Sequence, residues 1–351
     1  MPIRIAARLT VATLASVAVG TPVHAQWSAT DTHSHASFRG LSVAPDGTVW
    51  VGGTAGTVLR SVDGGATWET DSVPGAHGFD FRGVAAIDAR TAYVMLAAAD
   101  TARIYRTTDS GASWTLQFSD QRPGVFLDGI GCWTARRCLA AGDPIAGRFF
   151  IVTTTDSGTH WRPKAAAGAP AASPGEAAFA ASNSSVVTGR GGRAWIATGG
   201  GAVARVWRST DYGRTWTVAT TPVAAGIPSA GIFSLAFCDA RLGVAVGGDY
   251  TKPAARGAHI AVTRDGGVTW IAADTGRDTP YLSAATCVSS SGSRIVSVGP
   301  AGTFTSGDGG STWTSVGTTG YNAVVAFRDV LVAVGADGTA GTAPAAAFAA
   351  P

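Results

Sequence analysis

The chain has 351 residues, of which 14% are charged, with 47 glycines and a formal net charge of +3. That length suits one large domain or two ordinary ones. So small a net charge argues against nucleic acid or an anionic membrane surface as partner, and many glycines with little charge argue for short strands and tight turns over helices.

Residues 1–25 read as a secretory signal. Arg4 and Arg8 supply the positive n-region, Leu9 to Val19 form a short apolar run, and Val23-His24-Ala25 has the small-x-small form of a cleavage site. The run is too short to span a bilayer comfortably, and no other segment is long enough to do so. Cleavage is expected before Gln26, in a periplasmic or extracellular chain.

Next comes an isolated strand, Gln26-Trp27-Ser28-Ala29-Thr30, and then a repeat. The octad Ser/Thr-x-Asp-x-Gly-x-x-Trp occurs six times, at 61–68, 107–114, 154–161, 209–216, 263–270 and 306–313. Its aspartates, Asp63, Asp109, Asp156, Asp211, Asp265 and Asp308, lie 46, 47, 55, 54 and 43 positions apart. The chemistry is that of a hairpin turn: a carboxylate that accepts backbone N–H bonds, a glycine at positive φ, and a tryptophan that opens the next strand. These six carboxylates are therefore read as structural.

Three short apolar strands precede each octad. In the fifth repeat they are Phe233 to Cys238, Val244 to Gly248 and Ile260 to Thr263, with Trp270 to Ala273 after the turn. Four antiparallel strands repeated at this period make a β-propeller blade. Beyond the last octad, Asn322 to Phe327 and Leu331 to Gly335 read as the inner strands of one more blade, without an octad. Trp27 matches the tryptophan column of that missing octad, so the N-terminal strand is expected to close a seven-bladed ring over residues 26–340. Residues 341–351 read as an Ala/Pro-rich tail offering at most one weak strand.

Cys132 and Cys138 flank a short hairpin connection, which brings them within disulfide range. Cys238 and Cys287 occupy similar positions on neighbouring blades and are expected to be reduced. Neither the cysteines nor the histidines (His33, His35, His77 and His160 among them) show metal-ligand spacing, so no metal and no cofactor are expected. The stretch Gly189-Arg190-Gly191-Gly192-Arg193 reads as an insertion loop.

The octads resemble Asp-box, or BNR, repeats. Segments such as 37–42 (SFRGLS), 141–144 (AGDP), 231–237 (GIFSLAF) and 246–250 (VGGDY) are similar to bacterial exported proteins of the photosystem II stability/assembly factor type. The resemblance covers essentially residues 26–340. It implies a monomeric propeller scaffold that binds a protein or peptide partner, as an assembly chaperone does for a reaction-centre subunit.

Aligning the seven inner-strand starts gives one column around the channel: Arg39, Arg82, Asp128, Glu176, Phe233, Ser283 and Asn322. Loops between second and third strands add Asp143, Asp249 and Tyr250 on the same face, with the octad turns on the opposite one. Arg39, Arg82, Asp128 and Glu176 would form a bipolar binding surface, the arginines suiting a carboxylate. Two hydrolase readings compete. Arg39 sits where sialidases place the first arginine of a carboxylate-binding triad, although Gly40-Leu41 follows it and no third arginine or Tyr-Glu pair stands out. Asp128 and Glu176 have the residue types of a glycosidase acid and base or nucleophile.

Overall fold

The computed structural model describes residues 27–165, 168–274, 278–288 and 293–348; the secretory signal lies outside them. The chain forms seven four-stranded antiparallel sheets arranged as a propeller. Blades one to six span 38–72, 81–120, 127–163, 186–220, 230–272 and 284–317. The seventh combines 323–344 with Ser28–Ala29, which pairs antiparallel with Ala340–Pro344. The N-terminal strand and the C-terminal strands thus share one sheet, which closes the ring and covers the outer edge of Ala340–Pro344. The C-terminal segment contributes more than the expected weak strand: Ala340–Pro344 is a full third strand, and Phe348 beyond it is fully buried.

The octads build the turns by local bonds. In the first, Asp63 Oδ1 accepts from Thr67 N–H at 2.9 Å, its Oδ2 accepts from the Thr67 hydroxyl at 2.6 Å, and Ser61 Oγ accepts from Gly65 N–H at 2.8 Å. The same bonds recur at Asp109, Asp211, Asp265 and Asp308, and at Asp156 with His160 Nδ1 in place of a hydroxyl. Two successive residues take positive φ, for example Ser110 at 68° and Gly111 at 98°. The second is glycine in every octad.

The core lies between blades. Each octad tryptophan packs against residues of its own and the preceding blade: Trp68 with Leu59 and Val332, Trp161 with Tyr93 and Leu127, Trp313 with Val244 and Val296. Trp27 does the same in the seventh interval. Its ring lies 5.1 Å from Tyr321 and 5.2 Å from Phe348, and its Nε1 donates to Thr303 Oγ1 at 3.0 Å.

Both cysteine pairs are disulfides. Cys132 and Cys138 are directly opposed in the first hairpin of blade three, with Cα atoms 3.9 Å apart. Cys238 and Cys287, expected to be reduced, join the ends of the inner strands of blades five and six with Cα atoms 5.3 Å apart. Inner strands converge at the channel, so equivalent positions on adjacent blades come within bonding reach. The stretch 189–193 is no insertion: it is the hairpin turn joining Val186–Gly189 to Arg193–Ala197. The inserted residues lie upstream of it, before Val186.

Candidate binding site at the channel mouth

The inner strands of blades one, two, three and five each carry a β-bulge in their first half. The strand pairing skips Arg39, between Phe38 and Gly40, and likewise skips Arg82, Asp128 and Phe233. Asp143 is skipped in the same way between Gly142 and Pro144 in the second strand of blade three. A bulge leaves its extra residue outside the ladder and turns that side chain away from the sheet face. All five line one cavity of about 530 Å³, together with Phe179, Tyr250, Tyr281 and Asn322. Gly142 makes the Asp143 bulge possible, since a Cβ there would lie 1.8 Å from the carbonyl oxygen of Phe126.

The cavity has two chemically distinct sides. On the side of blades five and six, Phe179 from the segment ahead of blade four stacks on Phe233 at 4.1 Å, with Tyr281 edge-on to Phe233 at 4.9 Å and Tyr250 at 5.9 Å. Burial pushes the Tyr281 phenol well up, although Arg39 nearby draws it down. On the other side stand the charges. Arg82 pairs with Asp80 at 2.6 Å. Half-buried Arg39 has no hydrogen bond or ion pair among the described residues, and burial together with the charge of Arg82 lowers its affinity for its own proton. Asp128 is 1% exposed and its Oδ2 is without a partner among the described residues. Burial first, and the charge of Asp143 second, push its carboxyl far above the usual range, against a smaller pull from Arg82. Asp143 is also raised by burial, and its Oδ1 accepts from Ala178 N–H at 3.0 Å.

The floor is a feature that no sequence pattern announced. Residues 177–185, ahead of the inner strand of blade four, run across the channel. Arg82 Nη1 donates to Ala180 O at 3.4 Å and Ser182 Oγ to Ser283 O at 2.8 Å. Asn183 donates to Val84 O at 2.8 Å and accepts from Ile130 N–H at 3.0 Å, and Ser184 Oγ meets Ser234 Oγ at 2.7 Å. One segment therefore ties itself to blades two, three, five and six. Phe179 to Ala181 face the cavity above, and Ser182 to Ser184 line a second cavity of about 520 Å³ at the octad end.

This insertion displaces Glu176 from the expected column. The inner strand of blade four begins at Val186, and Glu176 sits outside the cavity, buried against its own blade. Its carboxylate accepts from Arg205 Nε at 2.9 Å, Thr198 Oγ1 at 2.6 Å and Ser173 N–H at 2.9 Å, and Arg205 Nη2 closes the ion pair. It is a fastener for the inserted segment. The expected pairing of Asp128 with Glu176 is not formed; the carboxyl beside Asp128 is Asp143. Ser283 is buried, with its hydroxyl on Val298 O and Tyr321 O, and does not line the cavity. Asn322 does, and ties blade seven to blade one through Phe38 O at 2.9 Å. Asp249 lies at the same strand end as Tyr250 but binds Thr251 N–H and Oγ1 at 2.9 and 2.7 Å. Among the described residues Arg39 and Arg82 are the only arginines lining the cavity, and Tyr321 belongs to the packing around Trp27. Among the described residues no group of three or more His, Cys, Asp or Glu is placed to hold a metal, and no helix is long and apolar enough to cross a membrane.

No protein-family model and no curated protein matches the chain. Solved structures do. YCF48 bound to D1 peptide is 16% identical with a TM-score of 0.65, covering 93% of this chain and 99% of that one. YCF48 from Cyanidioschyzon merolae is 17% identical with a TM-score of 0.65, over 91% and 98%. The Neurospora crassa Pan2 WD40 domain is 12% identical with a TM-score of 0.60, over 89% and 90%. At these identities the likeness shows the fold.

Proposed function

We propose that this chain is an exported propeller scaffold whose channel-mouth cavity binds a peptide through a carboxylate. The observation that carries the reading is the guanidinium pair. Arg39 has no anionic partner of its own among the described residues, it stands beside Arg82, and both line a polar and aromatic concavity to which six blades and the segment ahead of blade four contribute. A bidentate carboxylate relieves the repulsion between two half-buried guanidiniums, and the ring of Phe179, Phe233, Tyr250 and Tyr281 offers a flat apolar wall to neighbouring side chains. The YCF48 structure described as bound to D1 peptide shares this fold and supports a peptide as the ligand class. The secretory segment at 1–25 would place that binding outside the cytoplasm.

The test is a pair of acetylated pentapeptides, one with a free C-terminal carboxylate and one amidated. The free acid should bind the mature chain at least about tenfold more tightly, a difference of about 1.4 kcal/mol. Arg39→Gln with Arg82→Gln should erase that preference with little change in melting temperature. Equal binding of acid and amide would refute the carboxylate reading. Recovery of the chain in the producing cell's cytoplasm, with residues 1–25 attached, would refute export.

A further inference from the structure

The arginines leave the other half of the charged wall unexplained. Asp128 carries an oxygen that is buried and, among the described residues, without a partner, a costly arrangement in a protein interior. Two separate bulges are spent on bringing it and Asp143 into the same cavity. Asp143 uses one oxygen on Ala178 N–H and has no partner for the other among the described residues. Packing alone would favour an apolar residue at position 128. No third carboxylate, cysteine or histidine joins the pair to make a metal site among the described residues.

We propose that Asp128 and Asp143 form a primary-ammonium subsite, so that the cavity reads a ligand carrying a carboxylate at Arg39 and Arg82 and an amine at the two aspartates. The proposal rests on the peptide reading above and adds the second charged group of the ligand. An ammonium offers three donors within a small sphere, which matches converging carboxyl oxygens; a guanidinium is planar and larger. Burial raises the proton affinity of both carboxyls, and the charge of Asp143 raises that of Asp128 further, so protonation competes with a bound cation. Where the pair carries a proton, binding releases it to solvent as the ammonium takes its place, a charge-neutral exchange. The groups that set this balance are Asp143 and Arg82, the charges that act on Asp128, with Arg39, Tyr250 and Tyr281 on the same cavity and Asp80 paired to Arg82. Ammonium binding should therefore strengthen as pH rises from 5 to 8.

The experiment compares three pentapeptides on the mature chain by calorimetry, at pH 5 and pH 8. One is acetylated with a single lysine and a free carboxylate; the second has norleucine for lysine; the third has norleucine and an unacetylated N-terminus. At pH 8 either amine-bearing peptide should bind at least about tenfold more tightly than the norleucine control, and the better of the two identifies a lysine side chain or a free N-terminus as the source. Asp128→Asn and Asp143→Asn, each with its melting temperature checked, should bring the ratio of amine-bearing to control affinity down to about one. Comparing two buffers of different ionisation enthalpy should reveal a proton released with the amine peptides only. Equal binding of all three peptides, no binding of any, or an amine preference that survives in both asparagine variants would overturn the subsite. Carboxylate binding is scored separately, by the norleucine control and its loss in Arg39→Gln with Arg82→Gln.

Discussion

Asp128 and Asp143 are the extra residues of two β-bulges on adjacent strands of one blade, and those bulges turn both carboxyls into the same cavity. Neither bulge nor pairing is required by the hairpin itself, whose ladder resumes on both sides. The arrangement costs stability, and that cost has a definite pH dependence.

The folded-state affinity of Asp128 for its proton is raised, chiefly by burial and then by Asp143. A carboxyl raised above its unfolded value of 3.8 favours the folded state when protonated, and the advantage disappears as pH climbs from about 4 through the folded value. Asp128→Asn holds the neutral form permanently. Its melting temperature relative to the parent should therefore rise between pH 4 and pH 8, as scanning calorimetry would record. A constant difference would mean that Asp128 is not protonated in the folded chain.

The octad carboxylates have the opposite sign. At Asp156 the backbone N–H and then the ring of His160 hold the carboxylate at about 2. Asp211 and Asp265 are also held at about 2: slight burial pushes them up, but the hydroxyl and N–H of Thr215 and of Thr269 outweigh it. A depressed carboxylate stabilises the fold fully above about pH 4 and loses that contribution as pH falls toward 2. Thermal melts should show cooperative stability falling across this window. Asp265→Asn should flatten the fall while lowering stability at pH 7.

Ring closure depends on Trp27 and on Ser28–Ala29 beside it. Trp27→Ala removes an indole packed on Tyr321 and Phe348 together with its bond to Thr303, and should lower unfolding free energy by about 3 kcal/mol. Deleting residues 27–31 should go further, baring the strand Ala340–Pro344 as a free edge. Aggregation or loss of a single cooperative transition is expected. A monomeric deletion variant with an unchanged melting temperature would contradict closure through this strand.

Mass mapping of the non-reduced chain should find no free thiol. The Cys238–Cys287 bridge closes a loop of 49 residues and joins two blades, whereas Cys132–Cys138 closes one of 6 within a hairpin. In the chain-entropy account the first is worth about 4 kcal/mol and the second about 2. Removing Cys238 and Cys287 together should therefore depress the melting temperature more than removing Cys132 and Cys138 together.

The octads were legible in the sequence because every bond that makes them spans four residues or fewer. Asp63 and Thr67 find each other whatever the rest of the chain does, and six copies at a near-constant period specify blades. Blade number followed as well, because Trp27 fits the same tryptophan column. Arg39, Arg82, Asp128 and Phe233 were found by counting back along inner strands of equal length. That counting failed at blade four, where Glu176 was aligned ten residues before the true inner strand at Val186. The segment between them takes its shape from bonds to Val84, Ile130, Ser234 and Ser283, on four other blades. No local pattern encodes such contacts, for they exist only once the ring has brought those blades around one axis. The partnership of Asp128 with Asp143 and the bridge from Cys238 to Cys287 were decided in the same way, by the convergence of strands at the channel. The sequence by itself determined how each blade turns; closing the ring decided which side chains meet inside it.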